Sequence, residues 1–320
     1  TSICSGAFND CTNLKRIEIP KNSKLEVIFS SAFRNTQIES IFFPSNLVDL
    51  KDGWCINTNK LKEIIVDQRN ESFIFVDNKF LLSKSSPEKE NFDVLVFCAS
   101  NIENVTIPDF VEIIGPYSFN SCKNLKKVDI CKESKLRIID ECAFDNCSIE
   151  CITIPLHVNL IGPNAFNNCK YLRNVEFQNN SELKIIENGA FSNCSLRNIS
   201  FPPSLQKINE HAFAFCKELR SIEFPNNSEL SIIEESAFVC TKIKGFVLPC
   251  HLKRICYRAF LHVIIVELGE SSDIEFIDKF AFSPSLEIIM VPPKVSKEFL
   301  MRVKDAFSPK KCNKNLLFIS

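Results

Sequence analysis

The sequence predicts an α/β repeat, a solenoid whose coils each give one short strand to a stacked parallel β-ladder. Three features carry this expectation. The dipeptide Ala-Phe, usually followed by Cys three residues after the Phe, recurs along the chain, with anchors at Phe8, Phe33, Phe119, Phe144, Phe166, Phe191, Phe213, Phe238, Phe260 and Phe282. Such self-similarity is the mark of stacked repeats. From Phe119 onward the intervals run 25, 22, 25, 22, 25, 22 and 22, so the unit is a 47-residue pair of one long and one short coil. Composition agrees: 29 Phe against 3 Tyr and 1 Trp is what one ring placed repeatedly in one core column would give.

Within a coil, Leu219-x-x-Ile222-x-Phe224-Pro225 and Leu196-x-x-Ile199-x-Phe201-Pro202 alternate apolar and polar positions, which reads as a short strand. Proline ends it because it supplies no ladder donor, and a polar turn follows. One coil cannot bury its own apolar face, whereas coils stacked ~4.8 Å apart can. Burying each ring then stabilises the stack by roughly 1.5–3 kcal/mol.

Four segments follow. Residues 1–67 are coils that start mid-repeat, with Ile3 in the Ile column and Cys55 in the place of the Phe. No N-terminal cap is visible, as expected of a fragment of a longer product or a degraded copy. Residues 68–104 interrupt the period, since the interval from Cys55 to Phe119 is 64, and the strand-like runs of Phe73 to Phe97 read as a β-hairpin island. Coils resume over 105–292, starting at Val105-Thr106-Ile107-Pro108. The coil between Phe260 and Val263 lacks three residues and is expected to narrow. Residues 293–320 read as a C-terminal cap: Phe299, Leu300, Val303 and Phe307 have helical spacing, and Leu316-Leu317-Phe318 suits a last strand. Phe307 lies 25 residues after Phe282, but without the other columns this spacing reads as coincidence.

The pattern L-x-x-I-x-(I/F)-P…L-x-x-I-x-x-x-A-F-x-x-C resembles the leucine-rich repeat of BspA-like proteins, surface and secreted antigens of oral bacteria and anaerobic protozoan parasites. The alternation of "NNSEL" coils with "IP-x-x-(V/L)-x-x-I" coils is most similar to the protozoan members. The resemblance covers nearly the whole chain. It implies a curved right-handed leucine-rich-repeat solenoid, and a cell-surface or secreted protein that adheres to protein or glycan partners on host cells or matrix. Insertions like the hairpin island are common in that family.

Residues between the inward Ile and Ile/Phe point away from the core onto the open face of the sheet. That column holds Glu18, Phe42, Ile65, Thr106, Asp129, Thr153, Glu176, Ser200, Glu223, Val247, Glu267 and Met290. From it, Glu18, Phe42, Ile65, Asp129, Glu176, Glu223 and Glu267 are the candidate binding residues. The acidic members favour long coils. This spacing keeps like charges off adjacent rungs, and it equally suits a face that receives a basic partner. Phe42 and Ile65 form either an apolar contact patch or a surface covered by the hairpin.

Cys11, Cys122, Cys147, Cys169, Cys194 and Cys216 each follow the anchor Phe by three, and Thr36, Thr58 and Thr241 take the same place. The position therefore wants a small side chain, and parallel side chains point alike, so this column is expected to hold buried free thiols. Disulfides among the other cysteines stay open. No CxxC is present, and Cys250, His251 and Cys256 are a weak metal candidate. His157 and His251 fall in a turn column that also holds Ser204 and Phe110, as surface residues would. Sequons at Asn179 and Asn226 lie in the polar turn and suit glycan on a secreted product. The seven scattered glycines form no phosphate loop, and no catalytic motif, cofactor site or metal site is expected. Lys+Arg at 38 against Asp+Glu at 39 leaves no basic excess for nucleic acid. No apolar run is long enough to span a membrane. The expectation is a non-enzymatic recognition protein; the alternative is an intracellular, cytoplasmic scaffold without a dedicated ligand.

Overall fold

The computed structural model describes residues 1–269, 273–278, 280–282, 286–292, 296–307 and 317–319. Of the expected C-terminal cap, residues 293–295, 308–316, among them Leu316, and 320 lie outside these, as does the side chain of Phe299. The chain divides into two compact units, Thr1–Ile149 and Glu150–Ser320. Each is a leucine-rich-repeat β-solenoid, with about 12 coils between them.

In unit 1 the outward-facing ladder pairs Ser40–Phe43 with Glu63–Val66 and Asn104–Ile107 with Lys127–Ile130, all parallel. In unit 2 it pairs Cys151–Ile154 with Asn174–Phe177 and Asn198–Ser200 with Ser221–Glu223. It continues through Gly245–Leu248, Ile265–Leu268, Ile288–Met290 and Leu317–Ile319. These strands alternate between buried and exposed residues, as in Asn104–Ile107. The repeat pattern predicts one strand per coil. The structure adds a second, two-residue strand at the Ile column, among them Ile185–Ile186, Lys207–Ile208 and Ile232–Ile233. Two residues are too few for alternation to reveal.

Turns occupy the rest of each coil, and the helix Lys297–Ala306 is the one α-helix among the described residues. Two left-handed residues make those turns, two before and two after the anchor Phe. Around Phe191 they are Gly189 (φ 64°) and Asn193 (φ 58°); around Phe166, Asn164 and Asn168. Asn and Gly enter this region most readily, which explains the Asn that precedes so many column cysteines. In the long coils, the serine hydroxyls of Ser23, Ser134, Ser181 and Ser228 accept the N–H of the Leu two residues on, at 3.2–3.3 Å. The "Asn-Ser-x-Leu" piece is therefore a hydroxyl-closed turn.

The Phe column stacks as expected. In unit 2, Phe166, Phe191, Phe213, Phe238, Phe260 and Phe282 follow one another with centroids 5.0–5.6 Å apart. Phe307 extends this stack, 5.8 Å from Phe282 and fully buried. Its spacing is no coincidence: the turn after the helix returns a ring to the column although the other columns are lost. In unit 1, Cys55 keeps the backbone place of the anchor, since Phe33 N–H donates to Trp54 O as Phe8 N–H does to Ala32 O. Trp54, in the Ala place, fills the missing volume against Phe33, Phe43 and Phe97.

Between those coils, Phe73–Val76, Phe80–Ser83 and Val94–Cys98 run antiparallel. Phe80 is buried edge-on to Phe119, so this segment supplies a ring to the stack. Val94 and Leu95 pair in parallel with Ile113 and Ile114 and so serve the next coil as its preceding strand.

Candidate functional site

The register brings the outward residues of the ladder side by side. Phe42 lies opposite Ile65, Thr106 opposite Asp129, Thr153 opposite Glu176, Ser200 opposite Glu223, and Val247 opposite Glu267. Glu18 sits in a coil with no assigned outward strand, its side chain exposed beside Arg16 at 2.9 Å. Adjacent rungs never oppose two carboxylates, so the face avoids like-charge contact.

Most of the acidic side chains also have local partners. Lys127 Nζ lies 2.8 Å from Asp129, Asn174 donates to Glu176 at 2.7 Å, and Ser200 Oγ donates to Glu223 at 2.7 Å. Arg16 and Lys127 are two residues before their carboxylates and so share the same face. These contacts moderate the negative field of the column.

Of the apolar candidates in unit 1, Ile65 is half exposed and Phe42 is partly buried. A larger apolar group lies at the far end of unit 2. Val247, Ile265, Met290, Leu317 and Ile319 are all exposed on the outward face of four neighbouring strands. Val247 and Met290 stood in the outward column already. Glu267 stands between them in the register, and Leu317 and Ile319 join Met290 through the last strand's pairing with Ile288–Met290, which the repeat alone did not specify.

The cysteine column proves to be a hydrogen-bonding position. The thiols of Cys194 and Cys216 donate to Phe166 O and Phe191 O at 3.1 Å, and Cys147 donates to Phe119 O at 2.7 Å. Thr58 does the same to Phe33 O at 2.8 Å. The place thus takes a small donor to an anchor carbonyl, that of the coil before for these four and that of their own coil for Thr36 and Thr241. All 15 described cysteines are free thiols. Cys11 departs from the expectation of burial: its side chain is exposed. Alkylation of the native protein should modify Cys4, Cys11 and Cys151, which are exposed, while Cys147, Cys169, Cys194 and Cys216 should react only after unfolding. Peptide mass mapping would show it, and native modification of Cys194 would contradict the packing.

Burial pushes the thiols of Cys216 and Cys256 up to about 12, so neither supplies a thiolate at neutral pH. His251 Nδ1 is 2.9 Å from Asp273 and His157 Nδ1 is 3.3 Å from Glu182, both in exposed turns of unit 2. No group of three metal-ligating side chains gathers among the described residues. None of their helices is long and apolar enough to cross a membrane.

The family described as the BspA type leucine rich repeat region matches residues 1–80, 91–183 and 177–289, in 6 copies. The chain belongs to this family. Solved structures of similar fold include a leucine-rich repeat protein from Bacteroides ovatus, at 22% identity and TM-score 0.51, aligned over 92% of this chain. The alignment spans 66% of that protein's length, just under two thirds. Another, from Eubacterium ventriosum, is 22% identical with TM-score 0.66, over 93% of this chain and 77% of its own. The pneumococcal vaccine antigen PcpA is 21% identical with TM-score 0.52, over 98% of this chain and 90% of its own. At these identities the likeness is of fold. A comparison with curated proteins returns no match.

Proposed function

We propose that this BspA-type chain is a non-enzymatic recognition protein that binds partner proteins through the outward face of its ladder, as a cell-surface or secreted adhesin. The observation that carries the reading is the uncovered apolar group of Val247, Ile265, Met290, Leu317 and Ile319 on a sheet face. Exposed apolar patches rimmed by polar groups mark interaction surfaces. The likeness in fold to an antigen such as PcpA supports a surface role. Phe42 and Ile65 in unit 1, with Glu18 and Asp129, are proposed as contacts. So are Glu176, Glu223 and Glu267 in unit 2.

Membrane-impermeant labelling of intact source cells, followed by recovery of the protein, tests the location. Labelled protein supports the adhesin reading; protein confined to the interior would make it an internal scaffold. For the face itself, the double charge reversal Glu176→Lys with Glu223→Lys is expected to change binding to host-cell or matrix preparations at least fivefold. Both side chains are exposed and each gives up one exposed hydrogen bond, from Asn174 and from Ser200 of the neighbouring coil, so the melting temperature should change little. Unchanged binding would remove the acidic column from the contact surface.

A further inference from the structure

The second ladder breaks in unit 1, and the break leaves a groove. Val27–Ile28 is followed by Asp49–Leu50, and there the parallel series stops. Where the series runs on, each strand takes donors from the next coil. Glu26 O accepts from Val48 N and Asp49 N at 2.9 and 3.1 Å, and Ile28 O accepts from Lys51 N at 2.9 Å. One coil on, the equivalent acceptors are Val48 O and Leu50 O, and among the described residues they receive no N–H. Val94–Cys98 cannot fill the place, because one of its edges is taken by Phe80–Ser83 and the other by Ile113–Ile114.

The space between is a groove of about 520 Å³, floored partly by Leu50, Phe73, Val94 and Val96. That volume lies within the range of sites that hold small ligands or a few residues of peptide. Its charges are unbalanced. Lys51 is tied to Asp49 at 2.6 Å, and Lys84 lies over the ring of Phe92 at 5.1 Å. Asp52 and Glu71 also line the groove and make no ion pair among the described residues. Loss of solvent raises the Asp52 carboxyl first, and the nearby carboxylates of Asp140 and Glu141 raise it further against the opposing charge of Lys51.

The geometry points to a peptide-binding site: an extended segment of another protein, with a lysine or arginine next to an apolar residue, adds to Asp49–Leu50 as the missing parallel strand. Its backbone N–H groups donate to Val48 O and Leu50 O, its apolar side chain enters the groove, and its cation meets Asp52. This is strand addition at an open edge, with main-chain bonds for affinity and one pocket for selectivity. The site lies on the second ladder, away from the outward face, and does not depend on the role proposed for that face.

The test uses the full chain and three fluorescein-labelled heptapeptides in anisotropy titrations at 150 mM salt. One has the sequence Ser-Val-Arg-Val-Arg-Val-Ser. The second carries glutamate in place of both arginines, and the third is the basic peptide with alternate backbone amides N-methylated. Binding of the basic peptide is expected to be at least tenfold tighter than that of either other peptide. It should weaken at least tenfold in Asp52→Lys and stay the same in Glu210→Lys, the same charge change at an exposed site in unit 2. Circular dichroism melting confirms that both variants fold. Equal binding of the N-methylated peptide would assign the groove to a free cation and overturn the proposal. So would a basic peptide that fails to bind at 1 mM, or one that binds Asp52→Lys as well as the unaltered chain.

Discussion

Phe191→Ala is expected to destabilise the protein by about 3–5 kcal/mol, with most of the loss arising from an unfilled cavity. Phe191 is fully buried between Phe166, 5.0 Å away and tilted 1°, and Phe213, 5.2 Å away and tilted 10°. Its neighbours cannot close over the vacancy. The coils on either side are held by backbone bonds from Phe166 N–H to Ala190 O at 2.7 Å and from Phe191 N–H to Ala212 O at 2.8 Å. Relaxation would have to break that ladder, so the cost should lie toward the upper end of the range. Phe8→Ala is the comparison, because Phe8 is partly exposed and, among the described residues, stacks on Phe33 only. Urea unfolding should show a much larger fall in midpoint for Phe191→Ala than for Phe8→Ala. Equal midpoints would mean that the stacked ring is not what holds these coils together.

Raising the pH above 9 is expected to loosen the fold, because the buried thiols keep their protons where the unfolded chain loses them. Burial raises the Cys216 thiol from 9.0 to about 12, and Cys194 is also pushed well above its usual value. The unfolded chain therefore releases these protons first. The stability tied to each thiol is complete below pH 9 and declines as pH climbs toward 12, by about 1.4 kcal/mol per pH unit per thiol. At pH 10.5 Cys216 alone should account for about 2 kcal/mol. Cys216→Thr separates this from other alkaline effects, since Thr58 already fills the same column and makes the same bond to the preceding anchor carbonyl. The variant should melt near the unaltered protein at pH 8 and measurably above it at pH 10.5. Identical melting at both values would show that the thiol ionises as freely in the fold as outside it.

By itself the sequence determined the coil. The Ala-Phe anchors, the Leu-x-x-Ile-x-Phe strands and the Phe excess are properties of one repeat that recurs, so a single line of residues contains them. The outward column was legible for the same reason, since a side-chain period of two assigns Glu176 and Glu223 to the open face. The tertiary structure decided what depends on a neighbouring coil. That the cysteine column donates to the anchor carbonyl of the coil before, as Cys216 does to Phe191, needs the stacking distance. That Phe307 rejoins the ring column needs the path of the helix before it. The apolar group from Val247 to Ile319 needs the last strand's partner. The groove beside Asp49–Leu50 exists because the inserted segment pairs with the coil after it and not the coil before. In each case the deciding quantity is a contact between residues of different coils, and a repeat pattern specifies which residues are equivalent without specifying which ones meet.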